Sequence, residues 1–270
     1  MNKKILIKDM CFAHGESSCH GRKPSYFEWI REDYESEICF FTDYLITHVL
    51  SSPYKKNIGW LIEPPSINPR GYESVKTVKD RYDVIFTYSQ ELIESDPEKF
   101  KWYPHAGCWI DDKDIKIWPK SSLCSIIASN KQTTTGHKLR HSIIKEMGNN
   151  IDVYGRGIND LEFKIDGLSK YRFSVVVENI KYDDYFTEKI IDCFATGTIP
   201  IYWGTHSVKN FFDENGIIFF ETVEELKNIL DNLTEEDYIN RMEAIKNNLD
   251  KSKEFILAED WIFKNYTNYF

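Results

Sequence analysis

The chain has 270 residues, 41% of them hydrophobic and 29% charged, with a formal net charge of −9. The acidic balance excludes a basic nucleic-acid scaffold, and the composition excludes a disordered chain. A small anionic ligand stays open, because a local cluster of Lys and Arg is enough for one.

The length suits two domains of about 100–150 residues each. KILIKD (4–9), SEICFFTD (36–43), NIGWLIE (57–63), YDVIFTYS (82–89) and FKWYPHAG (100–107) are apolar runs of strand length with polar or helical segments between them. The polar stretch 109–122, with Pro119, reads as a linker. A second alternation follows: LCSIIAS (123–129), a helix near 137–147, NIDVYG (150–155), FSVVVEN (173–179), a helix near 187–196, IPIYWG (199–204) and GIIFFE (216–221). Helical periodicity dominates after that. This predicts an α/β fold of two Rossmann-like domains facing a cleft, residues 1–118 and 119–270, with the last helix packing back on the N-terminal domain.

The apolar part of MNKKILIKDM is too short for a signal core or a membrane span and reads as a first strand. Six scattered cysteines look like reduced thiols, which suits a cytoplasmic protein. The aromatic end DWIFKNYTNYF reads as a docking helix, with peripheral contact at a membrane surface as the alternative.

Three places could carry chemistry. Glu178 and Asn179 stand at the carboxyl end of an apolar strand, and Thr187 is a plausible N-cap for a helix whose first turn holds Glu188 and Lys189. Glu188 is favoured there by the helix dipole alone. Lys189 opposes the dipole, by a few tenths of a kcal/mol to about 1 kcal/mol, which makes sense if a phosphate sits at the helix start. In SIIASNKQTTTGHKLRHSII (125–144) a strand runs through a loop containing Gly136 into a helix bearing His137, Lys138, Arg140 and His141. The Arg140 fork could reach diphosphate oxygens; the competing reading is a solvated basic face. The loop lacks the lysine-serine ending of a P-loop, which disfavours a P-loop nucleotidase. In WLIEPPSINP, Glu63 follows a strand and precedes Pro64 and Pro65. It could deprotonate a hydroxyl, or be an ordinary strand-end acid.

Cys11, His14, Cys19 and His20 match no established zinc spacing, and the acidic pairs Asp111–Asp112 and Asp183–Asp184 fall in a linker and a solvated loop. No essential metal is expected.

FSVVVEN…DYFTEKIIDCFATGTIPIYWG resembles the family-10 glycosyltransferases, the inverting α-1,3/4-fucosyltransferases that use GDP-fucose. Glu178 and Asn179 match the family's Glu-Asn pair, and Tyr185, Thr187, Glu188 and Lys189 match its second element. Gly197, Thr198, Pro200, Tyr202 and Gly204 match the third. The resemblance implies diphosphate binding by Arg140 and Lys189, ribose binding by Glu188, and a donor site completed by Glu178, Asn179 and Tyr185. It favours Glu63 as the base, because WLIEPPSINP followed by YDVIFTYS repeats the family's order in the N-terminal half. Ile180 and Phe186 replace the family's Ser/Thr and Val, which implies a different sugar-facing wall.

The implied function is a GT-B enzyme that takes GDP-fucose as donor substrate, needs no cofactor, and transfers L-fucose to a glycan hydroxyl in α-1,3 or α-1,4 linkage. The alternatives are the same fold with another nucleotide sugar, and a non-catalytic nucleotide-sugar or glycan binding protein. The acceptor is expected on loops 10–35 and 43–56, where His14, His20, Trp29 and Arg31 stand.

Overall fold

In the computed structural model, residues 3–32, 35–105 and 107–270 are described. The chain start, residues 33–34 of the expected acceptor loop and residue 106 of the run 100–107 lie outside them. The chain forms two compact units, one of residues 1–107 with 257–270 and one of residues 108–256.

The first unit carries β1 (Lys3–Lys8), β2 (Phe27–Ile30), β3 (Ile38–Thr42), β4 (Lys56–Trp60), α1 (Pro69–Val78), β5 (Val84–Thr87), α2 (Gln90–Ser95) and β6 (Phe100–Trp102). The strands form a parallel sheet in the order β2-β1-β3-β4-β5-β6. Register pairs such as Phe40 with Ile58 and Ile58 with Val84 place buried residues side by side. β3 and β5 are buried at every position, as a sheet covered on both faces requires. On one face Leu6, Phe41, Ile85 and Val75 of α1 pack together. Burial of a side chain such as Phe41 contributes about 1.5–3 kcal/mol.

The second unit carries β7 (Ser122–Ile127), α3 (Thr135–Met147), β8 (Asp152–Tyr154), β9 (Tyr171–Val177), α4 (Glu188–Ala195), β10 (Ile199–Trp203), β11 (Ile218–Phe219), α5 (Val223–Asn232), α6 (Glu235–Ile239) and α7 (Met242–Ser252). Its sheet is also parallel, in the order β11-β10-β9-β7-β8. Ile126, Val175, Ile201, Ile143 of α3 and Leu226 of α5 share one core.

The chain then returns to the first unit as α8 (Ala258–Asn265). The buried carboxylate of Glu259 accepts hydrogen bonds from the Ser18 N–H at 2.7 Å, the Ser18 hydroxyl at 2.7 Å and the Trp29 indole at 3.2 Å. Phe263 and Phe270 pack against Phe27, and Tyr266 donates to the Trp102 carbonyl at 2.8 Å. The aromatic end of the chain thus covers the Phe27–Phe40–Trp60–Phe86 face of the N-terminal sheet.

The division falls at Gly107/Cys108, ahead of the polar stretch read as a linker. The physical reason is that residues 109–118 are bound to α4 and its end. The Trp109 N–H donates to Asp192 at 2.8 Å, the Lys116 N–H to the Ala195 carbonyl at 3.0 Å and the Trp118 N–H to the Thr196 carbonyl at 3.4 Å. Gly197 (φ 67°) ends α4 in the left-handed region, and a Cβ there would meet Ile117 at 2.9 Å.

Candidate functional site

The strand order of the C-terminal unit reverses between β7 and β9: the chain goes outward to β8, then returns past β7 to build β9, β10 and β11. A crevice opens at the carboxyl ends of strands at such a switch point. The loops that leave β7 and β9 there lead into α3 and α4, and they carry the six residues singled out in this half of the sequence.

α3 begins with Thr134, whose hydroxyl accepts the His137 N–H at 3.1 Å, while the His137 ring takes the Thr134 N–H at 3.2 Å. This reciprocal cap uses a histidine where Glu or Gln is usual. Burial pushes the His137 imidazole down to about 4, and Arg140, Lys131 and Lys189 push the same way, so it is neutral near pH 7. Gly136 sits in the first turn, where its N–H donates to the Asn179 carbonyl at 3.0 Å. The α3 and β9 backbones therefore touch.

That contact delivers Arg140 into the interior. It is 5% exposed. Its Nε donates to the Val177 carbonyl at 3.0 Å, and Nη2 donates to that carbonyl and to Asn179 Oδ1, the latter at 3.1 Å. The solvated-face reading therefore fails for Arg140, although Lys138 on the same helix is exposed. Among the described residues no carboxylate lies within ion-pair distance of its guanidinium. Burial lowers its proton affinity, and Glu178, Glu188 and Tyr185 oppose that at longer range.

At α4, Thr187 is the N-cap, accepting the Lys189 N–H at 3.3 Å. Glu178 is fully buried beneath it. The Glu178 carboxylate accepts the Thr187 N–H at 3.0 Å and the Thr187 hydroxyl at 2.8 Å. Lys189 Nζ donates to Thr187 Oγ1 at 2.9 Å and lies 3.4 Å from Glu178 and 3.2 Å from Glu188. The unfavourable dipole term at Lys189 is thus offset by two carboxylates of the protein. The dipole argument alone no longer requires a phosphate.

The structure brings Arg140, Glu178, Asn179, Tyr185, Glu188 and Lys189 together at this switch point. Asn179, Glu188 and Lys189 keep solvent-accessible surface, while Glu178 and Tyr185 lie beneath. Phe186 also points inward, packed against Phe211, Phe212 and Phe255, so its exchange for valine alters the core and not a sugar-facing wall.

Sequence reading missed Lys164 and Asp192. Lys164 Nζ lies 2.6 Å from the fully buried Asp192 of α4 and 4.0 Å from Glu188, with its ammonium 4.8 Å from the Trp109 ring. The pair ties Lys164 to the middle of α4. An acid on the apolar stripe of α4 was the available signal; nothing in the sequence pointed to Lys164.

Glu63 belongs to the N-terminal unit, just beyond β4, and is partly exposed. Its N–H donates to the Asp43 carboxylate at 3.3 Å. Among the described residues no group of three or more His, Cys, Asp or Glu is arranged to hold a metal ion, and no helix is long and apolar enough to cross a membrane.

Comparison with known proteins agrees with this geometry. Residues 117–242 match the model of the glycosyltransferase family 10 (fucosyltransferase) C-terminal domain. The chain is 32% identical over 151 residues to the alpha-(1,3)-fucosyltransferase FucT of Helicobacter pylori, covering 54% of this chain and 29% of that protein. It is 38% identical over 53 residues to alpha-(1,3)-fucosyltransferase B of Drosophila melanogaster, covering 20% and 12%. The chain thus spans less than a third of these relatives' length. A solved α1,3-fucosyltransferase superposes with a TM-score of 0.58 at 15% identity, over 94% of this chain and 90% of that one. TarM gives 0.57 at 10% identity, over 87% and 55%. At such identities the likeness speaks for the fold, which is the GT-B class. Residues 117–242, most of the C-terminal unit, are thus similar to glycosyltransferase family 10, the fucosyltransferase family.

Proposed function

We propose that the chain is an inverting glycosyltransferase that moves L-fucose from GDP-fucose to a hydroxyl of a glycan acceptor, in α-1,3 or α-1,4 linkage. The observation that carries this reading is Arg140. A buried guanidinium with no carboxylate among the described residues in ion-pair distance, beside Lys189 and the start of α4, is a place where an anion completes the electrostatics. The family match makes a sugar diphosphate the natural occupant, and a solved α1,3-fucosyltransferase with GDP-fucose shares the fold at a TM-score of 0.56.

In the proposed reaction Glu63 takes the proton of the acceptor hydroxyl, whose oxygen bonds to the anomeric carbon from the face opposite the leaving group. The bond from that carbon to the phosphate oxygen breaks, and its electron pair leaves with GDP. Arg140 and Lys189 balance the charge gathering on the diphosphate, Glu188 holds the ribose, and Asn179 orients Arg140. Glu178 and Tyr185 support the site from beneath. Preorganised charge of this kind supplies several kcal/mol, so Lys189→Ala should lower turnover roughly 10²–10³-fold.

The deciding experiment is transfer from GDP-fucose to a glycan array, with the product linkage determined. Lys189→Ala with full turnover removes Lys189 from the mechanism. A thermal-shift panel of nucleotide sugars separates donors, since a ligand at about 100 times its Kd adds roughly 2.7 kcal/mol of stability. A shift with GDP-fucose but no turnover would favour a binding protein, and a larger shift with a UDP-sugar would favour another donor.

A further inference from the structure

The N-terminal sheet has its own switch point, between β1 and β3, and Asp43 stands at the carboxyl end of β3 beside it. Asp43 is fully buried, and its φ of 33° lies in the left-handed region, which disfavours a residue with a side chain. That conformation turns the carboxylate under the segment that leaves β4. It accepts the Ile62 N–H at 3.1 and 3.2 Å, the Glu63 N–H at 3.3 Å to each oxygen, the Asn68 amide at 3.1 Å and the Cys11 thiol at 2.9 Å. Asn68 in turn caps α1 through the Gly71 N–H at 2.9 Å. From the carbonyl side, Tyr103 donates to Leu61 at 2.9 Å and Tyr88 to Ile62 at 3.2 Å. Residues 61–63 are therefore gripped along both edges of their backbone.

The neighbouring acid, Asp9, is not interchangeable with Asp43. It accepts the Cys11 N–H at 2.7 Å, the Phe12 N–H at 3.1 Å and the Thr42 hydroxyl at 2.9 Å, and it lies 3.7 Å from Arg31. Its bonds hold the loop after β1, and none reaches Glu63. Asp43 joins that loop to the Glu63 segment and the cap of α1.

We propose that Asp43 is a positioning residue for Glu63, its carboxylate fixing the backbone at 62–63 and through it the direction of the Glu63 side chain. The inference rests on the reading of Glu63 as the base. A buried acid in a strained conformation, accepting two successive backbone N–H groups just ahead of that base, has more structure than folding β4 requires. Burial pushes the Asp43 carboxyl up to about 7, with the Glu63 charge acting the same way. The bonds from Cys11, Asn68 and Glu63 oppose it.

The experiment compares GDP release from GDP-fucose for the parent chain, Asp43→Asn, Glu63→Gln and the double variant. Asp43→Asn is expected to lower kcat about 10–100-fold with the donor KM unchanged, as a misplaced base would. In the Glu63→Gln background it should cost nothing further, because the group it positions is gone. If Asp43→Asn does not fold, Asp43→Gly takes its place, since glycine accepts this φ while losing the carboxylate. A folded Asp43 variant with parental kcat overturns the proposal, as does an equal loss in the Glu63→Gln background, which would make Asp43 merely structural. Parental kcat in Glu63→Gln overturns the reading of Glu63 itself, and no GDP release from the parent overturns both.

Discussion

Filling the glycine at the start of α3 should do the opposite of what filling a helical glycine usually does. In an ordinary helix Ala in place of Gly gains about 1 kcal/mol. At Gly136 a Cβ would stand 1.7 Å from the Glu178 carbonyl oxygen and 2.8 Å from its carbon. Those are backbone atoms and cannot rotate away. The strand they belong to is held by the Glu178 N–H bond to the Trp203 carbonyl at 2.9 Å. Restoring normal contact needs a displacement of at least about 1.3 Å in a close-packed interior. Overpacking of that kind costs about 1–3 kcal/mol. Moving α3 also strains the Arg140 bonds to Val177 and Asn179, charge-assisted bonds of about 1.5–3 kcal/mol each. After the helix-propensity gain, a net loss of about 2–4 kcal/mol remains for Gly136→Ala. This corresponds to a fall of roughly 5–15 °C in the melting transition of the C-terminal unit. Calorimetry reads the melting, and isothermal titration with GDP reads the site, where about tenfold weaker binding is expected once the guanidinium is displaced. A variant that melts at or above the parent temperature and binds GDP equally well would refute the claim that α3 and β9 meet backbone to backbone.

Two further outcomes follow from buried charge in the same unit. Glu178→Gln keeps the shape but removes the carboxylate that accepts from Thr187 and balances Lys189, so the ligand-free protein should lose roughly 2–3 kcal/mol. The stabilisation produced by saturating GDP should grow, because the cations face the diphosphate with less competition; unchanged melting without ligand counts against this role for Glu178. Lys120 donates to the Ser169 and Thr196 carbonyls and to Thr198 at 2.9–3.0 Å, and burial pushes its ammonium down to about 7, with Cys193 opposing the shift and Arg172 adding to it. With the folded value below the ordinary value near 10.4, the native state binds fewer protons between those limits. Stability should therefore rise with pH from about 7 to about 10, by up to about 4 kcal/mol, and level off above. Urea titrations of the parent and Lys120→Met across that range check it: a slope that persists in the variant assigns the effect elsewhere.

The C-terminal part of the candidate site was legible as a cluster because it is local. Thr187, Glu188 and Lys189 are consecutive, and a cap followed by a charged first turn is written in the sequence. Glu178 and Asn179 were legible as a strand end. What could not be read was which of these side chains face solvent, because that depends on contacts across dozens of residues. The Arg140 bonds to Val177 and the Lys164 pairing with Asp192 are of that kind. β2 was absorbed into an expected loop because four residues, FEWI, give too little alternation to register. The stretch 109–122 reads as a linker because its composition is polar, yet backbone N–H groups of residues 109–118 are bonded to α4 and its end. Asp43 carried no signal at all. It looked like the polar end of a strand, and its importance lies in a backbone angle.

The two units repeat one strand order but put different charged groups at its reversal, cations balanced by carboxylates in the C-terminal unit and acids in the N-terminal one. At the β7/β9 switch the groups nearest the strand ends include Arg140 and Lys189, and at the β1/β3 switch they are Asp9 and Asp43, with Glu63 beyond the adjacent β4. A net charge of −9 is compatible with anion binding because, among the described residues, Arg140 has no carboxylate at ion-pair distance, while Lys189 is balanced closely enough to remain stable and openly enough to stay partly exposed. An acid placed against the guanidinium would stabilise the ligand-free fold by the strength of a buried pair and compete with a diphosphate by the same amount. The same logic runs in reverse in the N-terminal unit. There Asp43 takes its hydrogen bonds from N–H groups and a thiol, none of which neutralises it as a lysine would. Its grip on residues 62–63 therefore adds no cation beside Glu63, as the role proposed for Glu63 requires, since a nearby positive charge would lower its affinity for a proton.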